Sequence, residues 1–116
     1  MNTLIIINDP PYGTERMFNA LRLAGGLVKA EDHKTTVFHM GDSVSGAKAG
    51  QKTLDGYYNV ERMLRRILDG KGEFRVCGIC LDARAIADDE LLANTRRSTK
   101  GELVASTMAA DKVLVF

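Results

Sequence analysis

The apolar positions of the chain change period repeatedly, and each change predicts an element. Leu4 to Ile7 is a continuous, largely β-branched apolar run that stops at the turn formers Asn8-Asp9-Pro10-Pro11-Tyr12-Gly13, which predicts a buried strand followed by a stiff loop. From Thr14 the period becomes helical: Met17, Ala20, Leu21, Ala24, Leu27 and Val28 share one face while Glu15, Arg16, Asn19, Arg22 and Lys29 turn away, with Thr14 as the expected N-cap. Thr35 to Met40 is a second strand, and Val44 to Ala49 has room for a short helix before Gly50. Tyr57, Val60, Leu64, Ile67 and Leu68 recur at helical spacing up to the stop signals Gly70 and Gly72. Phe74 to Cys77 is a third strand. Asp88 is placed to cap a brief helix through Asn94, and Thr95 to Ser98 is long enough only for a short strand. Thr99 and Glu102 have capping-box spacing ahead of Leu103, Val104, Thr107 and Met108, and Lys112 to Phe116 closes the chain as a strand.

Strands thus alternate with helices, and the strands are continuously apolar instead of alternating. Parallel strands covered on both faces read this way, so the expected class is α/β with a single domain over residues 1–116. In such a sheet the connections leaving the carboxyl ends of the strands converge on one edge, where ligands bind. The connections concerned are the loops Asn8 to Gly13, Gly41 to Ser43 and Cys77 to Arg84. Asp9, Pro10, Tyr12, Gly13, Gly41, Asp42, Ser43 and Asp82 are therefore candidates to line a cleft, together with Gln51 from the polar, aromatic-edged segment that ends at Tyr57 and Tyr58.

Composition narrows the function. Sixteen Lys and Arg against fifteen Asp and Glu leave a formal charge of +1, far from the basic excess that gathers phosphates, so no nucleic-acid partner is expected. The apolar runs are too short for a membrane span and the N-terminus does not read as a secretory signal, which predicts a soluble, cytoplasmic protein with no membrane partner. The two short basic pairs, Arg65-Arg66 and Arg96-Arg97, read as solvated faces.

The two cysteines form the sharpest constellation, Cys77-Gly78-Ile79-Cys80-Leu81-Asp82-Ala83-Arg84, a C-x-x-C at the point where the third strand stops. A disulfide between residues three apart closes almost no loop, so the pair is not there to staple a secreted fold. Only a thiolate is a good nucleophile, and a neighbouring guanidinium lowers a thiol pKa; Arg84 is placed to do so, while Asp82 would oppose it. The competing reading is a pair of packed structural cysteines. A thioredoxin-like dithiol would face a proline from a later strand, but Pro10 and Pro11 both precede the pair. Structural zinc needs four ligands, and of the two histidines only His39 falls near enough in the pattern to approach Cys77. No metal or other cofactor is expected.

Six segments in order carry a resemblance to the YchN-like branch of the DsrE/DsrF-like family: Asn8-Asp9-Pro10-Pro11-Tyr12-Gly13-Thr14-Glu15, Leu21-Arg22-Leu23-Ala24, Met40-Gly41-Asp42-Ser43-Val44, Ala49-Gly50-Gln51-Lys52 with Gly56-Tyr57-Tyr58-Asn59, Cys77 to Arg84, and Ala110 to Phe116. The resemblance implies a three-layer α/β/α fold, flavodoxin-like and doubly wound, with a parallel sheet of about five strands; it supports the short strand at Thr95 to Ser98. It further implies a homo-oligomer, a trimer or hexamer, and a sulfur-relay cysteine at Cys77, which precedes Arg84 by the family interval. Two departures stand out: Ala85 follows the arginine where relatives have glycine, and Gly46 stands where many have a larger residue or a cysteine.

The function this implies is a persulfide carrier or sulfurtransferase, with donor and acceptor proteins as partners. In it Cys77 accepts sulfane sulfur, Arg84 stabilises the anionic sulfur, and Cys80 resolves the intermediate or protects Cys77 from overoxidation. The alternative is a non-enzymatic small-ligand-binding or assembly protein whose cysteines only pack.

Overall fold

Strand β1 (Asn2–Ile7) lies inside the sheet, paired on both sides, because its apolar run has both faces to cover. In the computed structural model, which describes residues 1–116, it is flanked by β2 (Lys34–His39) and β5 (Lys112–Val115), and β3 (Glu73–Cys77) and β4 (Arg96–Ser98) continue the sheet beyond β2. All pairings are parallel and the order is β4-β3-β2-β1-β5. The expected α/β class and five-stranded parallel sheet are thus what the chain forms. The short strand expected at Thr95 to Ser98 is real, as β4.

One face of the sheet is covered by α1 (Arg16–Leu27), α2 (Val60–Asp69) and the short α3 (Gly78–Ala83). Met17, Ala20, Leu21 and Ala24 of α1, Val60, Leu64 and Ile67 of α2 and Leu81 of α3 pack on Ile5, Ile7, Val37, Phe74 and Val76 as one core. Each Leu or Ile sealed in this way contributes roughly 1.5–3 kcal/mol. The other face carries only α4 (Lys100–Ala109), none of whose residues is buried, although Leu4 and Phe38 of the sheet are. Val104 and Met108 on α4 and Val113 and Val115 on the edge strand β5 remain exposed.

Helix ends follow local chemistry, in places differently from the sequence expectation. Asn59 caps α2 by accepting the Arg62 N–H (3.1 Å), and Thr99 caps α4 by accepting that of Glu102 (3.2 Å). Glu102 does not close the box, because its carboxylate is held by Arg96 (2.6 Å) and Ser98 (3.0 Å). Thr14 is not the cap of α1: its hydroxyl donates to the Asp9 carboxylate (3.1 Å), and the helix starts two residues later. The helix expected over Val44 to Ala49 is instead a 3₁₀ stretch, Gly41–Ala47. That expected from Asp88 to Asn94 shrinks to one 3₁₀ turn, Asp88–Glu90, because the backbone beyond it finds partners across the chain: Leu92 N–H donates to Ala47 O, and Ala49 N–H to Glu90 O, each at 2.9 Å. The stretch Cys77 to Arg84, expected as a loop, is a helix capped by its first cysteine. No helix is long and apolar enough to cross a membrane.

Candidate functional site

Parallel register brings the carboxyl ends of β1, β2, β3 and β4 to one edge: Ile7 lies opposite His39, His39 opposite Val76, and Cys77 opposite Ser98. Cys77 is the last residue of β3 and the N-cap of α3, so one backbone turn places its thiol over the first turn of the helix. The Cys80 N–H donates to Cys77 Sγ (3.3 Å), as a hydroxyl would accept at an ordinary N-cap. Cys80 stands on that same turn, and its own Sγ accepts the N–H of Gly41 (3.3 Å) from the connection leaving β2. Gly41 offers this N–H from a backbone at φ +54, the left-handed region that glycine enters at little cost. Both thiols are free and half-buried.

The thiol of Cys77 is pushed above its ordinary pKa, first by burial and then by the Cys80 side chain lying against it; the backbone N–H groups of Cys80 and Ile79 partly offset the rise. No cation counters it. Contrary to the sequence expectation, Arg84 does not reach the sulfur: its Nε (3.0 Å) and Nη2 (2.8 Å) both donate to Asp42 Oδ1, and its Nη1 donates to the Cys80 carbonyl (3.1 Å). A carboxylate within reach outcompetes a half-buried neutral thiol for a guanidinium. Asp82 is likewise turned from the thiols, toward Arg97 (3.1 Å).

Arg97 was legible only as half of a basic pair, yet it grips the cysteine helix. Its Nη1 donates to the Gly78 carbonyl (2.9 Å), while its Nε and Nη2 hold Asp88 (3.0 and 2.8 Å). A Cβ on Gly78 would meet Arg97 Cγ and Nη1 at 3.0 Å, so this glycine lets the strand β4 side chain lie against the turn. The register that sets Arg97 opposite Val76, one residue before Cys77, is the only signal that would have revealed it.

The remaining cleft candidates divide into two groups. Gly41, Asp42 and Asp82 join the cysteine turn as described. Tyr12 and Gln51 belong to a separate knot: Tyr12 OH donates to Gln51 Oε1 (2.6 Å) and accepts the Val60 N–H (3.1 Å), and Gln51 Nε2 donates to the carbonyls of Gly46 (2.8 Å) and Lys48 (2.9 Å). Ser43 is sealed beneath, donating to Ile7 O (2.6 Å) and Met40 O (2.7 Å). Asp9 holds Thr14 and Arg16, and Pro10 and Gly13 shape the same loop. Two surface clefts lie elsewhere, between α4 and the amino half of the sheet and between α1 and α2, while Gln51 lines a third with Asn59, Glu61, Arg62 and Arg65.

His39 does not approach Cys77. It lies in one transverse row with Ile7 and Val76, fully buried, edge-on to Phe74 with ring centroids 6.0 Å apart, and neither ring nitrogen has a hydrogen-bond partner. Burial lowers its pKa to about 4, a backbone contact at Ser43 offsetting a little of the drop. His33 is far along β2's other end, with Nε2 2.9 Å from Thr3 Oγ1. No three His, Cys, Asp or Glu side chains converge as a metal would require.

The family model described as DsrE/DsrF-like matches residues 1–116. Protein YchN of Escherichia coli K12 is 37% identical over 114 residues, covering 97% of each chain, and an uncharacterised protein of Methanopyrus kandleri is 31% identical over 113 residues, covering 97% of this chain and 91% of its own. The crystal structure of the E. coli YchN protein superposes over the whole of both chains with a TM-score of 0.91 at 36% identity. A protein of unknown function from Methanobacterium thermoautotrophicum shares the fold, with a TM-score of 0.76 at 14% identity over 99% of this chain and 97% of its own.

Proposed function

Because the chain belongs to the DsrE/DsrF-like family, we propose that it handles sulfane sulfur, Cys77 accepting it from a donor and holding it as a persulfide. The observation that carries this reading is the placement of Cys77: a free, half-exposed thiol where β3 gives way to α3 on the converging edge of the sheet. The step is a simple exchange. The Cys77 thiolate attacks the terminal sulfur of a donor persulfide, the donor leaves as a thiolate, and Cys77 carries one additional sulfur. A raised thiol pKa makes the attack slow at neutral pH and faster as pH rises.

In this reading the chain works in the cytoplasm, passes sulfur to an acceptor protein and acts as a homo-oligomer of trimeric or hexameric order. Support for assembly comes from α4, which buries nothing of its own, and from the apolar edge formed by Val113 and Val115. The second reading, cysteines that only pack, draws support from the same raised pKa of Cys77.

Reduced protein exposed to glutathione persulfide separates the two when its sulfane sulfur is measured by cyanolysis. Transfer to Cys80→Ser, in which only Cys77 is left to hold sulfur, and none to Cys77→Ser supports the carrier; equal uptake by both, or uptake by neither, removes it.

A further inference from the structure

Resting on the reading of Cys77 as the sulfur acceptor, we propose that Cys80 reduces the persulfide in place, so that the protein discharges sulfide and is left with a Cys77–Cys80 disulfide. The chain would then be a sulfane-sulfur reductase, and not solely a carrier. Its co-substrate would be an external dithiol that reopens the disulfide.

The geometry at the turn carries this. Cys77 is the cap and Cys80 the third residue of the same helical turn, a spacing at which side chains are neighbours. The Cys80 N–H already holds Cys77 Sγ at 3.3 Å, which folds that side chain back over the turn, and the Cys80 side chain lies against it. A persulfide formed on Cys77 would therefore carry its inner sulfur within reach of a second thiol from the moment it formed. Gly41 orients that second thiol, its N–H donating to Cys80 Sγ at 3.3 Å. Arg84 anchors the same residue from the other end, through the Cys80 carbonyl at 3.1 Å, and so fixes the backbone from which the thiol projects. Nothing in the turn shields Cys77 from Cys80, as a device for safe carriage would have to do.

The step balances. The Cys80 thiolate attacks Cys77 Sγ, the bond between Sγ and the outer sulfur breaks, and that sulfur leaves with its proton as hydrosulfide. The sulfane sulfur gains two electrons, and the two cysteine sulfurs lose one each in becoming cystine. Regeneration is ordinary exchange, in which an external dithiol becomes a disulfide and returns both cysteines to thiols.

The test uses the full chain, reduced and freed of reductant, treated with glutathione persulfide. Sulfide release is measured above that of Cys77→Ser, and intact mass is taken for wild type, Cys80→Ser and Cys80→Ala. Expected is a burst of sulfide from wild type near one equivalent per chain, with a mass lower by two hydrogens, and turnover when dithiothreitol is added. Both Cys80 variants should retain the mass of one added sulfur and release no sulfide above background. Wild type that keeps the added sulfur as the variants do, or that forms the disulfide without releasing sulfide, would overturn the inference while leaving the carrier intact. Absence of added sulfur on the Cys80 variants and of sulfide from wild type would overturn both.

Discussion

Arg84 and Asp42 show how a motif can be read correctly by position and wrongly by contact. The arginine sits at the interval from Cys77 expected of it, but its guanidinium is committed to Asp42 and to the Cys80 carbonyl. Arg84→Gln should therefore leave the pH profile of Cys77 alkylation where it is, whereas an arginine that stabilised the thiolate would, when lost, move that profile upward. Because the Arg84 and Asp42 side chains are 34% and 67% exposed, the pair itself is worth less than about 1 kcal/mol. Gly46, the other departure from the family pattern, is explained by space: a Cβ there would meet Met17 Sδ at 2.9 Å and Pro11 Cβ at 3.4 Å. A larger residue would require the end of the Met17 side chain to shift.

Among the elements, α3 ends in a complete Schellman motif: Ile86 N–H donates to Leu81 O (3.0 Å), Ala85 N–H donates to Asp82 O (3.1 Å), and Ile86 packs into the core beside Leu81. The motif requires a left-handed residue between helix and Ile86, and Ala85 fills it at φ 55. Alanine is strained there by roughly 1–2 kcal/mol, so Ala85→Gly should stabilise the fold by about 1 kcal/mol in urea unfolding with the m-value unchanged. A loss of stability would contradict the account of this turn. Four of the strands and the helices α1 and α2 were legible from continuous apolar runs such as Leu4 to Ile7 and from the helical faces of Met17 to Val28 and Val60 to Leu68, whereas β4, three residues long, rested on the family resemblance. The cysteine helix was not legible. Its six residues are too few to show a period, it opens on glycine, and its cap is a thiol instead of a hydroxyl or carboxylate. The two partners that set the site, the Gly41 N–H and Arg97, were hidden for a different reason. One is a backbone group, and the other arrives through strand register, neither of which leaves a mark in side-chain pattern.

For the whole molecule, the buried His39 predicts how stability responds to acid. Its folded pKa of about 4 lies below the ordinary 6.5, so below pH 6.5 the unfolded chain takes a proton that the folded chain refuses. Stability from this group is fully present above pH 6.5 and is lost as pH falls toward 4, by at most about 3 kcal/mol. Denaturant midpoints measured across that window should fall in wild type and fall much less in His39→Phe; equal slopes would contradict the burial of a neutral ring. The same scale holds the question of assembly. If the proposed homo-oligomer forms through this face, Val115→Asp combined with Met108→Lys should lower the molar mass seen by light scattering toward that of one chain; a wild type already of one chain's mass, or a mass the substitutions leave unchanged, would contradict it.

Everything proposed for the chemistry turns on where sulfur resides once it has entered the protein. Tandem mass spectrometry of proteolytic fragments from Cys80→Ser, treated with glutathione persulfide and then capped with an alkylating agent, reads this residue by residue. The account predicts one added sulfur on Cys77 in most molecules, with uptake faster as pH passes the ordinary thiol range. Capped fragments in which Cys77 is alkylated directly on its own sulfur, with no sulfur added between, would contradict it.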